Sequence, residues 1–388
     1  YIQGTSGVRP TEELPGCSAG EPDEDENTAL FRIEVVRVPL ASPEDAEIVS
    51  MPRIFADAEG NIAGLWSGGD HGEGTQQSRR TNQCHDITTY PEIGLAAGAC
   101  SGNGILLDIS DPANPVRIDE VIDPNFAYWH SATFNNDATT ILFTDEWGGG
   151  SAPRCRPTDP DTWGANAVFR LVDGQMQHAG YYKLPVPQGD TENCVAHNGS
   201  LIPVPGRDIM VQAWYQGGVS ILDFTDPENA FEIAFFDRGP LNADELFTGG
   251  YWSTYWYNGA IYGAEISRGI DVFTLQPSEH LSQAEIDAAR LAVLDEFNAQ
   301  MQPRYEWPAA EPVARSYLEQ LVRSGRILEA RAAQVEEALA SGSAADLASA
   351  AADVAADAAE VDSGRLGGDA LRLTRLAETL RGMASVQQ

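Results

Sequence analysis

From residue 85 to residue 275 the chain breaks into short runs in which apolar and polar positions alternate, with Gly, Asn or Asp-Pro between them. A period of two puts the apolar side chains on one face of an extended strand, so the runs predict β-strands. They group into units: strands at 85–90, 93–99, 104–109 and 116–121; at 130–134, 140–143, 167–171 and 178–184; at 197–204, 208–214, 219–224 and 231–236; and at 251–257, 260–264 and 270–275. Upstream, 30–38 and 46–55 read as outer strands of an incomplete first unit. Residues 1–4 (YIQG) read as a second strand whose partner is missing, and 56–83 as a loop.

The repeat shows in the turn after the third strand, where LLDISDP at 106–112 returns as ILDFTDP at 221–227. Four-stranded units of about 45 residues cannot bury both faces alone, and radial stacking solves this. The fold class expected is mainly β, a β-propeller of four-stranded antiparallel blades spanning 1–277. From Ser278 the pattern changes to a helical period rich in Ala, Leu, Glu and Arg, so 278–388 is expected to be a C-terminal α-helical region. Ser282 and Glu285 form a capping box ahead of a helix to Phe297, with further helices at 312–323, 326–340, 344–361 and 369–383.

Composition narrows the partners. With 24 basic against 58 acidic residues and a net charge of -34, a nucleic-acid surface is not expected. No apolar run is long enough to span a bilayer, and the start lacks the layout of a signal peptide, as in a mature, processed chain. Five scattered cysteines with no CxxC fit export better than zinc-finger chemistry. Their places in the units predict disulfides Cys17–Cys84 and Cys155–Cys194 with Cys100 unpaired; Cys84–Cys100 across one hairpin is the competing pairing.

Three units open with a histidine: His85, His130 and His197. In a propeller blade the first strand lines the channel and the second runs back beside it. The start of one and the end of the other therefore share a face. Glu146, sixteen residues after His130, and Glu265, placed at the same level by aligning AWYQGGVSI with AEISRGIDV, join the histidines at one mouth, with Cys100 a further ligand candidate. Imidazole with carboxylate predicts a divalent ion, a transition metal or zinc ahead of calcium. Asp86, Asp145 and the Gly148–Gly150 carbonyls are expected to support the ligands, and Trp129, Trp214, Trp252, Tyr255 and Trp256 to wall the mouth. One such histidine alone is more often a hydrogen-bonded core residue; three in register with two glutamates favour a metal. His71 reads as a solvated loop residue, His178 and His280 as structural, and the Trp252–Tyr257 cluster chiefly as blade packing. No nucleophile elbow, P-loop or dinucleotide fingerprint appears.

The stretches NQCHDITTYPEIGLAAGACSGNGILLDISDPANP, NFAYWHSATF with FTDEWGGG, ENCVAHNGSLIPVPGRDIMVQAWYQGG and GGYWSTYWYNG resemble the bacterial LVIVD-repeat proteins over most of 30–281. The resemblance implies a secreted or surface propeller and hands over no reaction. The expected protein is an exported binding or structural propeller, extracellular, at the cell surface or periplasmic, self-assembling through its helical tail. The alternative is a copper-type oxidase, since histidine-held copper at a propeller channel is similar to that of selenium-binding, methanethiol-oxidising proteins.

Overall fold

The computed structural model describes residues 1, 8–13, 17–363 and 369–386. A hairpin, β1 (Val35–Arg37) and β2 (Glu47–Ser50), and a short pair, β3 (Gly69–Asp70) and β4 (Gln77–Ser78), precede the propeller. Its first blade is β5 (Asp86–Tyr90), β6 (Leu95–Cys100), β7 (Asn103–Asp108) and β8 (Val116–Val121). The second is β9 (Trp129–Phe134), β10 (Thr140–Asp145), β11 (Asn166–Val172) and β12 (Gln175–Tyr182). The third is β13 (Gly199–Ile202), β14 (Ile209–Ala213), β15 (Val219–Asp223) and β16 (Phe231–Phe236). The fourth has three strands, β17 (Tyr251–Tyr257), β18 (Ala260–Glu265) and β19 (Gly269–Phe273). Every sheet is an antiparallel meander in chain order, so the protein is a four-bladed β-propeller. The β1–β2 hairpin is the incomplete unit that the pattern foretold; Phe31, Ile33, Ile54 and Phe55 beside it pack on Ile105 and Leu107 of the first blade. The strand expected at 1–4 falls, apart from Tyr1, outside the described residues.

The repeated Asp-Pro turn is built the same way twice. Asp108 and Asp223 accept from the backbone N–H groups of Ser110 and Thr225, and Asp111 and Asp226 accept from the side chains of Asn114 and Asn229. Such aspartate-to-backbone bonds close a turn without glycine. Between blades, Trp129 N–H donates to Ser101 O, and Tyr251 and Tyr215 exchange both backbone bonds, so β9 and β17 start against the preceding blade's second turn.

The helical region comprises α1 (Gln283–Ala289), α2 (Glu311–Arg323), α3 (Glu329–Ser341), α4 (Ala344–Asp362) and α5 (Ala370–Val386). The capping box at Ser282 and Glu285 forms as expected. The helix it starts stops well short of Phe297, because the chain is drawn out as a strap across one end of the channel. Phe297 packs on Tyr255 and Tyr257 of β17, Thr89 of β5 exchanges backbone bonds with Gln300 and Gln302, and the Gln302 side chain bonds both backbone groups of Phe134. These contacts override the helical propensity of the segment. They leave a cavity of about 40 Å³ beneath the strap, lined in part by Thr88, Thr133 and Ser200. Arg207, buried before β14, pairs with Asp223 and Glu285, and Glu285 also pairs with Arg323, tying α1 and α2 to the third blade. No helix among the described residues is long and apolar enough to cross a membrane.

Candidate metal centre

At the channel end opposite the strap, three blades each deliver a histidine. His85 stands just ahead of β5, His130 is the second residue of β9, and His197 lies just ahead of β13. The rings stand in file, with centroids 3.9 Å apart for His85 and His130 and 4.3 Å for His130 and His197. Glu146, one residue beyond β10, reaches between the last two. Its Oε2 is 3.7 Å from His130 Nε2 and its Oε1 is 3.5 Å from His197 Nε2. His130, Glu146 and His197, all buried, thus offer one donor atom each within 4.8 Å of one another, and His85, Asp86 and His130 form a second such group.

The protonation states suit a cation. Burial, then the neighbouring rings of His197 and His85, hold His130 well below the usual histidine range, so the ring is neutral and its approach to Glu146 is no ion pair. Burial also weighs against protonating His85, but Asp86 and then Glu146 outweigh it and raise that ring. The Trp252 carbonyl accepts from His197 Nδ1, which leaves a lone pair on Nε2. Both nitrogens of His130, Nδ1 of His85 and Nε2 of His197 have no hydrogen-bond partner among the described residues. An unpaired buried polar atom costs about 1–3 kcal/mol. Four of them, spread over three neighbouring rings beside a carboxylate, are of the residue types that could hold a metal.

Tyr215 completes the site and escaped the sequence reading. Its phenol donates to Glu146 Oε1 at 2.5 Å, and its ring lies 4.7 Å from that of His197. Burial, then the charge of Glu146, pushes the phenol up, so it stays a donor. The backbone there has φ 53°, a left-handed conformation rarely imposed on tyrosine except where the surroundings demand it. Gly150 makes room: a Cβ on it would lie 2.2 Å from the Tyr215 ring. Of the carbonyls in the Gly148–Gly150 run, that of Gly148 accepts from Ser151 and that of Gly150 from Asn193.

Glu265 is not in the cluster. Tyr251 pairs with Glu265 as Trp129 pairs with Asp145, so the level of Glu265 in its blade is that of Asp145. Glu146 lies one residue further on, where the third blade has Tyr215. A one-residue offset turns a strand side chain to the other face. Glu265 and Asp145 do the same job: Glu265 accepts from the N–H groups of Gly250, Ser267 and Arg268, Asp145 from those of Ala127, Tyr128 and Gly164. Burial pushes the Asp145 carboxyl up to about 7 against those three bonds.

The cysteines correct the expected pairing. Cys84 is bonded to Cys100, the competing choice, because strands β5 and β6 bring them opposite each other; Cys17 is the free thiol, and Cys100 is no ligand. Cys155–Cys194 forms as expected. Of the aromatic wall, Trp252 stands beside His197 at 4.9 Å and half-exposed. Trp129, Trp214 and Trp256 instead point into blade cores, and Tyr255 faces the strap. His71 stacks on Trp66 and is in neither donor group, His178 packs against Phe169 and Tyr181, and His280 against Phe231.

Fold and site together define a β-propeller with a buried histidine and carboxylate cluster at one channel mouth. No protein-family model matches the sequence, and comparison with curated proteins gives no match. Among solved structures it is similar to a candidate 6-phosphogluconolactonase from Bacteroides fragilis, at 12% identity and a TM-score of 0.41, over 63% of this chain and 61% of that one. A Lactobacillus plantarum protein gives 12% identity and a TM-score of 0.37 over 63% and 64% of the two chains. The computationally designed Ika4 protein gives 9% and 0.31, over 53% of this chain and 96% of that one.

Proposed function

We propose that the protein is an exported metal-binding propeller of the LVIVD-repeat kind, in which a zinc or transition-metal ion at the channel mouth ties consecutive blades together. One observation carries this: His130 is wholly buried with neither ring nitrogen partnered, and Glu146 and His197 aim donors at the same point. The three come from two blades, and His85 brings a third, so an ion held there is a cross-link in a ring whose other closure is the strap. The nitrogen-rich donor set disfavours calcium, which takes oxygen ligands. Two disulfides support an oxidising compartment outside the cytosol. The helical region, with Leu328, Leu371 and Val386 exposed, is the part that would mediate self-assembly.

The test is elemental analysis of natively purified protein, followed by chelation. Stoichiometric zinc or transition metal, with a fall in melting temperature when it is stripped, is expected. Metal-free or calcium-only protein whose melting is indifferent to chelators overturns the proposal. One feature favours a second reading, a metal-dependent oxidase: His85 leaves about a third of its side chain open to solvent, a route by which a small molecule could reach the cluster. Copper or iron in the purified protein, with oxygen uptake on thiol substrates, would select that reading.

A further inference from the structure

His130 belongs to both donor groups at the mouth: with Glu146 and His197 on one side, and with His85 and Asp86 on the other. Resting on the metal reading above, we infer that the mouth holds two ions, one in each group, with His130 between them presenting one ring nitrogen to each. The two unpartnered nitrogens carry the inference. A single ion relieves one of them and leaves the other stranded in a fully buried ring, with its desolvation uncompensated. His85 Nδ1, which makes no hydrogen bond and lies 3.5 Å from Asp86 Oδ1, would bring the second group a nitrogen donor beside a carboxylate. The inner ion is closed in by Glu146 and Tyr215. The outer one, beside half-buried His85 and Asp86, faces solvent.

Three protein donors leave a fourth place open at either zinc position, so the two differ in access: the inner ion is buried between blades, and the outer one has room for water or a small anionic ligand. Charge balances when His130 gives its one ring proton to solvent as the second ion binds. Each ion then has two imidazoles, one of them shared, and one carboxylate.

The experiment titrates chelator-stripped full-length protein with zinc chloride against a chromophoric competitor, so that weak sites on the acidic surface are not counted. Two tight equivalents are expected. Asp86→Asn, at a half-buried position tolerant of an isosteric amide, should keep the first equivalent at unchanged affinity and lose the second, with its near-ultraviolet circular dichroism unaltered. His197→Gln should likewise drop the count to one. A single equivalent in the wild type overturns this inference and leaves the one-metal reading standing; none overturns both. Two equivalents persisting in Asp86→Asn also overturn it, because the outer position would then not be where Asp86 lies.

Discussion

The two ends of the channel are built from the same inner strands, and along β9 they treat their buried polar side chains differently. At the strapped end, Gln302 places its amide oxygen on Phe134 N–H and its amide nitrogen on the carbonyls of Phe134 and Asn135, and Asn136 exchanges bonds with Tyr305. At the mouth, on the same strand β9, His130 has no partner for either nitrogen. Unpartnered buried atoms also occur on Thr254 and Trp256, so what sets the mouth apart is that histidine nitrogens gather there beside a carboxylate, which supports the metal reading.

The largest effect that bears on this contrast is binding itself. An ion that binds only the folded chain stabilises it by about 4 kcal/mol at a thousandfold excess over its dissociation constant. Zinc added to stripped wild-type protein should therefore raise its unfolding midpoint in urea sharply, whereas His130→Gln should show no rise. A rise of equal size in His130→Gln would move the site elsewhere and dissolve the contrast. The strapped end should behave conversely. Gln302→Ala strands one N–H and two carbonyls and should lower stability by about 3 kcal/mol, while zinc affinity measured by competition stays at the wild-type value.

Tyr215→Phe sits between these two cases, since it removes a hydrogen bond to a ligand rather than a ligand. Groups that orient metal ligands typically contribute 10–100-fold in affinity, so about a tenfold loss, close to 1.4 kcal/mol, is expected for zinc. The metal-free variant should lose about 1–3 kcal/mol of stability, because the buried Glu146 carboxylate is left without its donor. If affinity were unchanged, the phenol would be packing against Glu146 without holding it.

Much of this is legible in the sequence. Period-two runs and the doubled Asp-Pro turn are local signals, and they place the blades, the three histidines and Glu146 correctly. What failed depends on registers that a sequence does not print. The pairing of β10 with β9 shifts at its end as that of β18 with β17 does, so Asp145, and not Glu146, is the counterpart of Glu265, and the alignment by motif was one residue out at the second blade. Tyr215 was hidden by the same offset, one residue past Trp214, although a bulky residue ahead of Gln216 and a Gly-Gly pair hinted at a left-handed turn. Disulfide choice turned on whether Cys84 faces Cys100 across a hairpin, which proximity along the chain favoured and loop analogy overrode. The strap was unreadable because 290–297 has a sound helical pattern, and only its docking on Tyr255 and Thr89 unwinds it.

The smallest expected effect is a pair of opposed slopes in stability against pH, one from each end, measured on metal-free protein. At the strapped end, Asp208 accepts from Asn135 Nδ2 at 3.0 Å, and its carboxyl is pushed up to about 7, by burial first. Its folded value lies above its unfolded value of about 4, so the folded chain keeps a proton that the unfolded chain has released. That contribution is complete below about pH 4 and is lost as pH rises through about 7. At the mouth the sign reverses. His130 is held well below its unfolded value of about 6.5, so the unfolded chain takes up a proton that the folded chain refuses, and stability falls as pH drops below about 6.5. Each group contributes a slope of about 1 kcal/mol per pH unit, and between about pH 5 and 6.5 the two slopes oppose each other. Urea midpoints across that window should therefore diverge on substitution: Asp208→Asn should become more acid-sensitive than wild type, and His130→Gln less so. Parallel curves for the two variants would mean that Asp208 and His130 do not carry opposite proton linkage, and the chemical distinction between strap and mouth would then rest on metal binding alone.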